Sequence, residues 1–183
     1  MRTRTKKQLM DREKTMALLQ RAQIGHLATV DQDGAPYVVP LQFVALEDVI
    51  YLHGAAEGEK FENMMRDGRM CLEVCQDFGL CYDENSAYAC AVNAKYESAV
   101  VRGRARFVED PAEKEKALRC LIRKYVPEFS EKQFQQKSLE RTAVIAMESL
   151  CITGKEFVGR GDNENYRYFK KWESHCFVRA FSA

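Results

Sequence analysis

IGHLATVDQDGAPYVVPLQFVALEDVIYLHG, residues 24–54, is the stretch whose reading decides the fold. IGHLATV at 24–30 is apolar and β-branched and runs into DQDG, where Gly34 supplies the positive φ of a hairpin turn. PYVVPLQFVAL at 36–46 is the returning strand. Pro40 has no N–H to give to a ladder, so a sheet edge or a bulge is expected there. After a short turn at Glu47 and Asp48, VIYLHG is a third strand.

Outward from this segment the period changes twice. DREKTMALLQRA at 11–22 sets Met16, Leu18, Leu19 and Ala22 on one face, which predicts an amphipathic helix capped by Asp11. KFENMMRDG predicts a short helix closed by Gly68, and RMCLEVCQ a return to strand. Residues 78–95 show no clean period and read as a long connection. YESAVVRGRARFVE at 96–109 is a strand with a bulge or bend expected at Gly103. Asp110 and Pro111 open a helix as cap and first residue, and a second helical piece is expected from Ser130. TAVIAMESLCITGK at 142–155 is the last clear strand, ahead of an aromatic tail whose structure the pattern does not decide. Hairpin-linked strands with helices between them predict a mainly β, α+β domain with an antiparallel sheet closed as a small barrel.

Composition bounds the function. With 183 residues and 46% hydrophobic content there is material for one core. The net charge of +1 draws the chain neither to nucleic acid nor to anionic lipid, and the basic MRTRTKK start reads as a solvated terminus. With no apolar run of bilayer length and no secretory pattern, a cytoplasmic protein is expected. The seven cysteines are odd in number and lack a C-x-x-C, so they read as reduced thiols and no metal site is expected. Cys71 and Cys75, an even number apart on a strand, are expected to point together into the barrel.

YLHGAAEGEK at 51–60 reads either as an anion cradle or as a loop that only turns the chain. A strand ending at His53 and a helix starting near Glu57 aim backbone N–H groups into the loop, and Lys60 can add a countercharge for a phosphate. Gly54 and Gly58 would also serve if they only turned the chain. The G-x-x-x-G spacing, with Glu59 before the lysine, excludes the phosphate loop of nucleotide hydrolases. His26 reads as packed or edge-exposed, and His175 lies in the undecided tail.

Four elements in order, GHLATV at 25–30, GAPYVVPL at 34–41, YLHG at 51–54 and GEK at 58–60, are followed by YESAVVRG at 96–103. Together they resemble the flavin-binding split-barrel superfamily that includes pyridoxamine 5'-phosphate oxidase, nearest the branch of nitroimidazole-resistance proteins. The likeness spans residues 10 to 155 or so, departs from the pattern at Ala99, and leaves the tail uncovered.

The resemblance implies a six-stranded antiparallel split β-barrel at 1–155, with 156–183 as an extension on the same domain. It implies FMN in a cleft between the two subunits of a homodimer. Val38, Val39 and Leu41 would line the flavin ring with backbone and side chain, joined at the site by Pro40, which has no N–H to offer, and Tyr51, His53 and Gly54 would sit beside ring and ribityl chain. Lys60 would meet the phosphate, with Ser98 and Arg102 as further contacts. His53 is the candidate catalytic acid, or a structural hydrogen-bonding residue. The implied activity is reduction of a small molecule, nitroaromatics among the candidates, with electrons from a reduced donor. Pyridoxamine phosphate oxidation itself is disfavoured because the tail FVRAFSA offers only Arg179 for that substrate's phosphate. A haem protein using His53 or His175, and a flavin carrier without turnover, are the alternatives.

Overall fold

The computed structural model describes residues 8–157 and 166–169. Strand β1 (Leu9–Met10) leads into helix α1 (Arg12–Arg21), where the Asp11 carboxylate accepts from Lys14 N at 2.8 Å as the N-cap. The hairpin follows as β2 (Gly25–Val30) and β3 (Pro36–Leu41), turned by Gly34 at φ 83°. Then come β4 (Phe43–Leu46), β5 (Val49–Ala55) and helix α2 (Glu59–Arg66). The long strands β6 (Arg69–Asp83) and β7 (Asn93–Phe107) precede helix α3 (Pro111–Tyr125), capped by Asp110 as expected. A short helix α4 (Gln136–Arg141), strand β8 (Thr142–Phe157) and strand β9 (Tyr166–Phe169) complete the described residues.

All pairings are antiparallel, along the path β3-β2-β6-β7-β8-β5-β4, with β1 on β8 and β9 on β6. The two ends of the path, β3 and β4, are consecutive in the chain and separated only by Gln42. One bent strand therefore pairs with β2 through its first half and with β5 through its second, and the sheet returns on itself through the covalent chain. Inward positions fill the interior with Leu27, Phe43, Ile50, Leu52, Leu72, Val74, Val101, Ile145 and Met147, and Leu18 and Leu19 of α1 close one end. Each such side chain contributes about 1.5–3 kcal/mol by leaving water. A second apolar cluster lies outside the barrel, where Ala117, Leu118 and Leu121 of α3 cover Val44, Val144 and Ala146.

Several expectations are corrected. The sheet has nine strands, not six; six remain only if β3 and β4 count as one bent strand and the short β1 and β9 are set aside. The break in the second strand falls at Gln42, two residues past Pro40. Pro40 itself lies on a sheet edge as expected, since β3 is an end of the path and pairs only with β2. Residues 78–95 are mostly the outer half of the β6–β7 hairpin, whose period is obscured by a register shift between Asp77 and Leu80, with Gly79 at φ 88°. The helix expected from Ser130 begins only at Gln136, because Arg119 Nη1 donates to the carbonyls of Ser130 and Lys132 and holds that segment in turns beside α3.

Cys71 and Cys75 share a face, but it is the outer one. Met70, Leu72 and Val74 take the interior, and Glu73, between the two thiols on their face, must meet solvent. The bulge expected at Gly103 is present: Arg102 pairs with Cys151 but Gly103 with Ser149, so Leu150 bulges out of β8 and is 73% exposed. Among the described residues no helix is long and apolar enough to cross a membrane, and no group of metal-ligating side chains converges. Most of 156–183 lies outside the described residues, including His175.

Candidate functional site

The split of the barrel is built first by backbone. Phe43 pairs with Leu52, and one residue further the ladder stops, because Gln42 leaves β4 for β3 while His53 continues along β5 to pair with Val144. Two residues at the end of α3 hold this branch point. Tyr125 Oη accepts from Phe43 N at 3.0 Å and lies 2.9 Å from Phe43 O and 3.0 Å from Gln23 O. Lys124 Nζ donates to Leu19 O at 3.2 Å and Phe43 O at 3.1 Å, and sits 3.9 Å from the Phe43 ring centre. Burial lowers the Lys124 pKa to about 8, while the two carbonyls and the aromatic face favour its ammonium form.

Beyond the branch, β5 ends at Ala55 and α2 begins after Gly58, whose φ of 93° no L side chain adopts readily. The α2 start has no side-chain cap. Phe61 N and Glu62 N bond back to Gly58 O, which leaves the Glu59 and Lys60 N–H groups directed out of the helix start. A Cβ placed on Gly54 would stand 3.4 Å from Lys60 Nζ, so the ammonium lies directly over a residue without a side chain. Among the described residues Lys60 has no carboxylate partner.

His53, next to Gly54 in β5, points to the opposite face of the strand. Although its edge is open to solvent, dense protein behind it disfavours the imidazolium, and the charge of Lys60 adds to the effect. Its pKa is therefore below the usual value of 6.5, and the ring is neutral at pH 7. His53 and Gln42 together line a cavity of about 310 Å³ between the barrel and α3–α4, walled by Leu118, Leu121, Ile122 and Phe134.

The other anticipated residues are distributed by strand alternation. Val39 and Leu41 pack against the interior, so only their backbone faces the split; Val38, 57% exposed, and Pro40 point outward. Strand alternation thus sets Val38 and Pro40 on one face and Val39 and Leu41 on the other.

Tyr51 lies on the His53 side of β5 but is engaged elsewhere: its hydroxyl donates to Glu113 Oε1 at 2.8 Å, and Glu113 also receives Arg106 at 2.8 and 3.1 Å. The Arg106 guanidinium holds the Glu113 carboxyl below its usual range, and burial raises the Tyr51 phenol. This chain of bonds pins the start of α3 to β5 and β7.

Arg102 and Ser98 are not brought to His53 within the chain. Arg102 pairs with Cys151, whereas His53 is level with Val144, and seven residues of β8 separate these levels by roughly 23 Å at the usual rise per residue. Arg102 stands instead on the outer face in the cross-strand row Val38, Ala28, Cys71, Arg102. Ser98 donates to Lys155 O at 3.4 Å on the same face. His26 is exposed there beside Glu73, with Nδ1 to Oε2 at 3.1 Å. Gln42, Lys124 and Tyr125 were not singled out from sequence; Gln42 has only its place two residues after Pro40, and the helix pair reads as ordinary amphipathic surface.

The geometry has counterparts. A family profile described as pyridoxamine 5'-phosphate oxidase matches residues 11–156. Among solved structures, a candidate 5-nitroimidazole antibiotic resistance protein of Bacteroides thetaiotaomicron is 28% identical, with a TM-score of 0.69 over 80% of this chain and 85% of that one. A flavocytochrome of Azotobacter vinelandii is 24% identical (TM-score 0.71, 93% and 84% covered), and an FAD and haem binding protein of Mycobacterium smegmatis 20% identical (0.73, 84% and 74%). These last two share the fold. A search of curated proteins finds no match. With the profile covering most of the described barrel, the bent strand, the α2 start and Lys60 included, the chain belongs to the pyridoxamine 5'-phosphate oxidase family.

Proposed function

We propose that this chain is a flavoprotein that holds FMN at the split of its barrel and acts as an oxidoreductase on a small molecule, nitroaromatics among the candidates. The observation that carries the reading is the Lys60 ammonium, lying over side-chain-free Gly54 beside a neutral His53 at an uncapped helix start. The donor set suits a phosphate: one cation and two free N–H groups, with no side chain filling the space above Gly54. Lys60 and the α2 N–H groups would hold the phosphate, and the backbone of Val39 to Gln42 with the outward Val38 and Pro40 would border the ring.

Bound there, the flavin would supply two-electron redox chemistry. His53, neutral at pH 7, can donate or accept a hydrogen bond but carries no proton charge to deliver, which favours an orienting role over that of a standing acid. Ser98 and Arg102, out of reach in one protomer, would join the site from the second copy of a homodimer. Such a copy would also cover Val38 and the exposed apolar residues Phe78, Leu80 and Leu150. The likeness to the nitroimidazole-resistance candidate supports the substrate reading.

The test is an absorbance scan of the purified protein, with mass analysis of what heat releases. Two yellow flavin bands and the mass of FMN are expected. A colourless protein that fails to bind added FMN would refute the reading, and an intense Soret band would favour a haem protein instead.

A further inference from the structure

We propose that the cavity between α3, α4 and the barrel is a binding site for a neutral, mainly apolar small molecule with a hydrogen-bonding group at one end. The cavity measures about 310 Å³, within the range of small-molecule sites and too large for a packing defect. Leu121, Ile122, Phe134 and Leu139 form its walls, and Gln42 and His53 stand together on the barrel side. Among the described residues neither the Gln42 amide nor the His53 ring has a hydrogen-bond partner in the protein, so both are available to a ligand. Apolar walls give water too few partners to be held well, whereas an apolar body gains by displacing it.

The charge of the occupant follows from the lining. No Asp, Glu, Lys or Arg borders the cavity, and His53 is uncharged at pH 7. An ionised group entering it would leave water without a counterion. A phosphorylated substrate is thereby excluded from this space, while an uncharged ring or chain bearing a carbonyl, nitro or amide group fits. His53 lines the cavity, whereas Lys60 lies at the opposite face of β5, over Gly54, so an occupant and the proposed cofactor cradle stand on either side of that strand. That the cavity binds does not rest on the flavin reading.

The test uses two dyes of one skeleton, neutral N-phenyl-1-naphthylamine and anionic 8-anilinonaphthalene-1-sulfonate, titrated by fluorescence into the full chain as purified and again with FMN in excess. One saturable site for the neutral dye is expected, with the sulfonate at least tenfold weaker. Ser138→Trp, at an exposed lining position of α4, should weaken the neutral dye at least tenfold while leaving the far-ultraviolet circular dichroism unchanged; Ser138→Tyr is the milder second variant. Equal affinity for both dyes, no saturable binding, no effect of either variant, or displacement by FMN would each overturn the proposal. Flavin content is read from visible absorbance of the same samples, so an empty cofactor site and a failed cavity are told apart.

Discussion

Lys60→Gln removes one positive charge while keeping a long polar side chain, and two quantities should move together. The first is FMN affinity. A charge-assisted hydrogen bond is worth about 1.5–3 kcal/mol net, and two unit charges near 4 Å at a protein surface interact by at most about 4 kcal/mol before salt screening. The dissociation constant should therefore rise by roughly 10- to 150-fold, and the rise should shrink in high salt because Lys60 is only half-buried. Flavin fluorescence quenching during titration of the apoprotein reads this directly. The second is the titration of His53, followed by the imidazole proton resonances. Lys60 lowers the His53 pKa only after burial does, so in the variant the pKa should climb without regaining its ordinary value. An FMN affinity within threefold of the parent would remove Lys60 from the phosphate site. A His53 titration that did not move would refute the geometry itself, whatever the cofactor.

Gly103→Ala would place a Cβ 2.4 Å from the Glu148 carbonyl oxygen and 3.0 Å from Met147 Cγ, so a loss of about 3 kcal/mol, the upper end of overpacking, is expected in urea unfolding. Tyr125→Phe strips the branch point of its hydroxyl and leaves Phe43 N unpaired, which should cost about 1–3 kcal/mol by the same assay and weaken FMN binding through the displaced Gln42. Between pH 8 and 10.5 the unfolded chain holds the Lys124 proton more firmly than the folded one, so stability should rise with pH across that window; Lys124→Met should abolish that part of the rise. Glu113, held low by Arg106, contributes in the opposite region: its share of stability is present above the ordinary carboxylate pKa and is lost as pH falls through its depressed one. Glu113→Gln should therefore flatten the acid limb of thermal melts recorded against pH.

The hairpin at 25–41, the cap at Asp110 with Pro111, and the bulge at Gly103 were legible because each is decided by neighbours in the chain: a turn glycine, a capping carboxylate, a residue without a side chain. Gly54 and Lys60 meet because a strand that ends at Ala55 and a helix that starts at Glu59 have few ways to arrange the turn between them. The orientation of Cys71 and Cys75 was misread, because alternation gives the shared face and not which face is inside; Met70, Leu72 and Val74 decided that. Residues 130–135 carry helix-forming side chains, yet Arg119 across the loop claims their carbonyls.

By itself the sequence determined most of the elements and their antiparallel hairpin logic, matters of local conformational preference and period. Only the tertiary structure decided that the barrel closes through a single bent strand at Gln42, that Lys124 and Tyr125 hold the bend from a helix eighty residues away, and that Tyr51 is bound to Glu113 instead of facing the split. These depend on which groups are left unpaired when distant surfaces pack. A partner for a buried carbonyl or hydroxyl is chosen by proximity in the folded chain, and no spacing along the sequence encodes that choice.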